Sequence, residues 1–207
     1  MTRGWKVGLL AALAVVLLSG CAQAADPGGS IAGAVLPAPS SDGEVTGLGV
    51  VRQVDGEEAQ FCLGAIEESY PPQCTGPVVV GWDWAEIEME ESASGVTFGS
   101  YALQGTWDGE QLTPTQPAIP LALYDAAAIE PDSRLDPGDA GAGEEDGLLE
   151  IQAELAEANG SVLQYAQIEN GYLFVGVAFD DGSVQDAVDG WYGRDMVAVV
   201  SLLREVG

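Results

Sequence analysis

The sequence predicts an α+β protein built in two units: a small all-β unit over residues 45–119, then an α-β-β-α-β unit over residues 148–207. Three observations carry this expectation. Short runs rich in β-branched and aromatic residues, broken by Asp-Gly pairs, fill the first stretch. Two cysteines, Cys62 and Cys74, lie close together inside it. Beyond residue 147 the apolar spacing changes from strand alternation to helical spacing and back again.

The elements follow in order. "VTGLGVVRQV" (45–54) reads as a strand that ends at the turn signal Asp55-Gly56, and "AQFCLGAI" (59–66) returns antiparallel to it. "PVVVGWDWAEIEM" (77–89) is a third run, in which Val80, Trp82 and Trp84 alternate with Asp83 on the opposite face. "GVTFGSYALQGTW" (95–107) is a fourth, and Asp108-Gly109 turns it into a short fifth, "QLTPT" (111–115). Five short strands resemble an OB-like barrel, and a five-strand sandwich fits nearly as well. Trp82, Trp84, Tyr101 and Trp107 either fill the interior of this unit or form a sugar-stacking platform.

Residues 120–147, rich in Pro, Gly, Ala and Asp, read as an acidic linker with one apolar run at Leu121 to Tyr124. In "LLEIQAELAEANG", Leu148, Ile151, Leu155 and Ala158 share a helical face and Asn159-Gly160 stops the helix. "SVLQYAQI" and the more apolar "YLFVGVAF" form a hairpin across Asn170-Gly171. A helix with Ser183 as its N-cap follows, then "MVAVVSLLREV" (196–206) as a strand buried on both faces. If Leu121 to Tyr124 pairs into this unit, its order becomes ferredoxin-like.

The N-terminus carries an address. Arg3 and Lys6 precede an apolar run from Val7 to Leu18, too short for a bilayer span and the right length for a signal-peptide core. It ends in Leu18-Ser19-Gly20-Cys21, which resembles the bacterial lipobox. That resemblance implies loss of residues 1–20, acylation of Cys21 and a partner in membrane lipid. Residues 21–44, rich in Ala, Gly, Ser and Pro, then form a flexible tether.

Composition removes most chemistry. Net charge is −27, histidine is absent, and beyond the signal the only cations are Arg52, Arg134, Arg194 and Arg204. Four scattered arginines cannot displace the counterions of a phosphate backbone, so no nucleic-acid partner is expected. Ser-His-Asp, Cys-His and Ser-Lys sites lack a member, a zinc site lacks ligands, and a Walker loop lacks its lysine. No cofactor is expected. What the composition leaves open is a carboxylate pair acting on a glycosidic bond. Asp180-Asp181-Gly182 reads as a turn and cap rather than a cation site.

In an exported chain, with Cys21 acylated, Cys62 and Cys74 are left as an even pair around Tyr70-Pro71-Pro72. A redox site would more often read Cys-x-x-Cys, and a metal would have no further ligands, so a structural disulfide is expected. Closing a loop of this size contributes about 3 kcal/mol in the entropic account. Tyr70-Pro71 is expected to be trans, as about 95% of X-Pro bonds in folded proteins are.

The pattern Cys62-Leu63-Gly64, Ser69-Tyr70-Pro71-Pro72-Gln73-Cys74 and Gly81-Trp82-Asp83-Trp84 resembles a family of small secreted proteins and lipoproteins of high-GC Gram-positive bacteria. The resemblance spans residues 45 to 115 and implies no activity. The expectation for function is therefore a lipid-anchored, non-enzymatic binding or interaction protein of the cell envelope, with an envelope protein or glycan as partner. The alternative is a carboxylate-pair glycan hydrolase or a glycan-binding OB-like module.

Overall fold

The computed structural model describes Met1, residues 33–126 and residues 131–206. The protein is α+β. Its first half contains β1 (Glu44–Val54), β2 (Gln60–Cys62), β3 (Val78–Val79), β4 (Glu91–Ala93), β5 (Val96–Trp107), β6 (Gln111–Pro114) and β7 (Ile119–Pro120). Five of these close into a barrel in the order β1-β2-β3-β6-β5 and back to β1. Closure rests on β1, which pairs with β5 along its whole length, from Glu44↔Thr106 to Val54↔Val96, while its other edge takes β2. The β3–β6 pairing is parallel and the other barrel pairings are antiparallel. A closed ring sets aside the sandwich alternative.

Val45, Val51, Phe61, Val79, Tyr101, Leu103, Trp107 and Leu112 fill the barrel. The expected third strand is much shorter than its alternation suggests. The chain leaves the barrel after Val79, turns at Gly81 with φ +70°, and forms a 3-10 turn over Trp84–Glu86 that Asp83 caps by accepting from the Ala85 amide. Trp82 and Trp84 therefore do not share a strand face. They reach the same core from this turn and pack on it together with Ile87.

The second half contains α1 (Glu145–Asn159), β8 (Leu163–Glu169), β9 (Tyr172–Val177), α2 (Ser183–Tyr192), β10 (Val197–Ser201) and β11 (Arg204–Glu205). β8, β9 and β10 form a three-stranded sheet with β9, buried throughout, at its centre. Asn170 and Gly171, at φ +48° and +77°, make the expected hairpin turn. Leu148, Ile151 and Leu155 of α1 and Val184 and Val188 of α2 pack on one face of the sheet.

The ferredoxin-like order does not form among the described residues. That order needs a strand between the third and fourth, whereas β10 pairs directly and in parallel with β9, from Val197↔Leu173 to Ser201↔Val177. Leu121 to Tyr124 instead turns beside the barrel, with the Leu121 amide donating to the Ser100 carbonyl. Nor is residues 196–206 one strand. It breaks at Leu202-Leu203 and crosses to the barrel, where β11 pairs with β1 through Val45↔Glu205 and Thr46↔Arg204. Leu203 is buried in the barrel core there, over Gly47, where a Cβ would stand 2.6 Å from Leu203 Cδ2.

The expected tether and linker are in part packed. Ala34 and Leu36 are buried in the core of the second half. Asn159, the buried polar residue at the end of α1, accepts from the Leu36 amide (2.7 Å) and donates to the carbonyls of Ala34 (2.9 Å) and Leu155 (2.8 Å). In the linker, Arg134 donates to Asp132 and to the Val199 carbonyl and lies 5.7 Å from the Phe174 ring centroid. Asn170 donates to the carbonyls of Arg134 and Asp136. Helix α1 also begins before Leu148, with Glu145 and Asp146 favourably placed in its first turn.

Asn159→Ala leaves the Leu36 amide buried without its acceptor and unpins the arm. It should cost roughly 2–4 kcal/mol of stability in urea denaturation. A loss below about 0.5 kcal/mol, the range of a neutral surface substitution, would show that the arm is not held this way.

Candidate functional site

The structure brings Trp82, Trp84 and Tyr101 together and leaves Trp107 apart. Ring centroids are 5.2 Å apart for Trp82–Trp84, 5.5 Å for Trp82–Tyr101 and 6.3 Å for Trp84–Tyr101. Trp82 and Trp84 meet edge to face, at 82°, and Tyr101 is 0% exposed. A sugar platform needs rings that offer flat faces to solvent; Tyr101 offers none, and the half-buried Trp82 and Trp84 meet edge to face and pack against the barrel core. The trio's polar handles are turned inward. Trp84 Nε1 donates to Gln53 Oε1 (2.7 Å), the Tyr101 hydroxyl donates to the Glu88 carbonyl (3.1 Å), and burial, with Glu90 nearby, pushes the Tyr101 pKa up to about 12.

Trp107 has a different setting. It is 5% exposed, and its Nε1 donates to the Pro39 carbonyl of the N-terminal arm (2.9 Å). Beside it opens a cleft of about 460 Å³ between the barrel and the three-stranded sheet. Besides Trp107, its sides come from six segments: the arm at Pro37 to Pro39, Gln60 of β2, residues 75–78, the β5–β6 turn at Gly109 and Glu110, Ser161, Val162 and Gln164, and Val177 to Phe179. Trp107, Phe179, Val78 and Val162 make it largely apolar, while Gln60 and Gln164 supply amides. Glu110 is its one ionisable lining residue. The Gln164 Nε2 donates to the Ser161 carbonyl (2.7 Å), and its Oε1 is buried with no partner.

The disulfide Cys62–Cys74 is formed, with Cα atoms 5.9 Å apart. Thr75, Gly76 and Pro77 of the cleft follow it directly, and the Phe61 amide donates to the Pro77 carbonyl (2.8 Å). The bond therefore fixes one side of the cleft against β2. Within the closed loop the Glu67 amide donates to the Gln73 carbonyl (2.9 Å). The Tyr70–Pro71 peptide is cis, not trans as expected. Tyr70 sets its ring edge-on to Phe98 and its hydroxyl on Glu91, which lays the loop along β4 and β5.

The remaining sequence candidates are structural. Asp180 Oδ1 accepts from the amides of Gly182 and Val184, and Asp181 Oδ1 from the amide of Ser183. Hydrogen bonding to Ser183 holds the Asp181 carboxyl below its ordinary range. These two residues, rather than Ser183, cap α2. Among the described residues no cluster of three or more His, Cys, Asp or Glu could hold a metal. Cys21 lies outside the described residues. Sequence reading missed the cleft because its lining comes from segments far apart in the chain. The one local hint was the Thr75-Gly76-Pro77 that follows Cys74.

Changing both Cys62 and Cys74 to Ala should lower stability by roughly 2–4 kcal/mol in urea denaturation and leave helix and strand content unchanged by circular dichroism. Protein purified without reductant should yield no free thiol from either residue, and two reactive thiols in the folded protein would refute the pairing. In comparison with known proteins, no family model, no curated protein and no solved structure matches this chain.

Proposed function

We propose that this protein is a lipid-anchored binding protein of the cell envelope, held to membrane lipid through an acylated Cys21, and that its ligand site is the cleft beside Trp107. The observation that carries the reading is the cleft itself. At about 460 Å³ it falls within the range of ligand pockets, and it lies where two units meet, a preferred place for them. The ring order supports it by analogy, since the cleft opens on β2 and β3 of an OB-like barrel, the strands that carry ligands in such folds. The carboxylates that shift, Glu44, Asp108, Asp132 and Asp181, all shift downward, opposite to what a general acid needs. A carboxylate-pair hydrolase would need two acids in one cleft, and this one has Glu110 alone.

A glycan is the second reading for the ligand. The Gln60 amide beside an apolar wall favours it, because sugars take hydrogen bonds at their rims and apolar contact on their faces.

Two measurements test the proposal. Cys21→Ala should move the protein from the membrane to the medium or leave it as uncleaved precursor; processing and membrane attachment like the wild type would refute the anchor. Val162→Trp, at an exposed position on the cleft, should fill it with little change in melting temperature. Components of detergent-solubilised envelope retained by the wild type and lost on this variant would be cleft ligands. Equal retention by both proteins would refute the site.

A further inference from the structure

The cleft is unlike the rest of this acidic surface, because apolar walls concentrate its polar chemistry in a few groups of one kind. Glu110 is its one ionisable lining residue, and none of the arginines lines it. Trp107 cannot donate into it, because its Nε1 is already spent on Pro39, so the indole offers only carbon and π-electrons. The Gln164 amide nitrogen is likewise spent on Ser161, and its side-chain oxygen is buried out of reach of the cleft. An anion would enter with no cation to meet it and a carboxylate at the rim. A cation would meet that carboxylate, with the aromatic residues Trp107 and Phe179 beside it. The net charge of −27 further raises the local concentration of cations around the whole molecule.

We infer that the cleft selects a cationic ligand with an apolar body, an organic amine, in which the ammonium group sits at Glu110 and the body lies along the apolar wall beside Trp107 and Phe179. The inference rests on the cleft being the ligand site and adds the charge of what fills it.

Three probes of matched shape test it by isothermal titration calorimetry at pH 7 in low salt: 2-phenylethylamine, 2-phenylethanol and 3-phenylpropionate. The amine should bind most tightly and the carboxylate weakest, with roughly ten-fold or more between them. Glu110→Gln should narrow the amine-over-alcohol ratio. Val162→Trp should abolish binding of both amine and alcohol. Equal affinity for amine and carboxylate, or an unchanged ratio in Glu110→Gln, would overturn the charge selection while leaving the cleft as a site. Amine binding that survives Val162→Trp would assign the preference to bulk surface charge and also overturn it. If none of the three probes binds, the cleft itself is refuted as a site and the inference falls with it.

Discussion

One carboxamide holds the two halves of this protein in register. Asn159 is the buried polar residue among the described ones, at 6% exposure, and it serves three backbone groups at once. A buried amide is tolerated only when satisfied in this way. Here it fixes the arm at Ala34 and Leu36 inside the core of the second half. The same arm then passes Trp107, where the indole N–H meets Pro39 and the Ser41 amide meets the Trp107 carbonyl, and enters β1. The C-terminus answers in reverse, because β11 leaves the second half to pair with β1. Each half thus lends a terminal segment to the other. Ala178, Phe179 and Leu203 complete the exchange by joining the barrel core. The halves are better understood as one cooperative body than as two beads on a linker, and the cleft exists because the crossing arm gives it a side.

That mutual exchange also explains what the sequence could and could not convey. Elements specified by their own residues were legible. β1 and β5 carry long β-branched and aromatic runs, Asp55-Gly56 and Asp108-Gly109 turn them, and Asn170-Gly171 closes the second hairpin. The disulfide was legible because the expected export and the lack of redox or metal partners left an even pair little else to do. Elements specified by distant partners were not. β4 reads Glu-Ser-Ala and β11 reads Arg-Glu, and neither has an apolar face to announce it. The arm is composed like a tether, yet two of its small apolar residues find a core more than a hundred positions away. Trp82 and Trp84 misled in the opposite sense. Their alternation is that of a strand, but Gly81 at positive φ breaks the ladder and lets a 3-10 turn carry both rings inward.

The excess of negative charge finds its place in the same architecture. Among the described residues no acidic residue is fully buried, and several cap turns, as Asp83, Asp108, Asp180 and Asp181 do, while Glu154 keeps one carboxylate oxygen buried without a partner. The scarce cations are used sparingly. Arg134 holds Asp132 and at the same time satisfies the Val199 carbonyl on the outer edge of β10. Gln185 closes the rest of that edge, donating to the Val197 carbonyl and accepting from the Val199 amide. An open strand edge is a template for adding another strand. These side chains occupy the middle of the β10 edge, which hinders the addition of another strand there.

What is left for recognition is a surface of two kinds. Most of it is a solvated carboxylate layer that repels anions over a long range and, at moderate salt, over little more than about 10 Å. The cleft is the opposite: nearly free of charge, walled by rings, and backed by groups already committed to holding the fold. Because Trp107, the arm and the disulfide each serve both the fold and the cleft, the cleft cannot open far without releasing Pro39 from Trp107 or Pro77 from Phe61. Its shape is therefore set before any ligand arrives. A preformed apolar pocket spends little on ordering itself, so any discrimination by the proposed site would fall to the few polar groups at its rim.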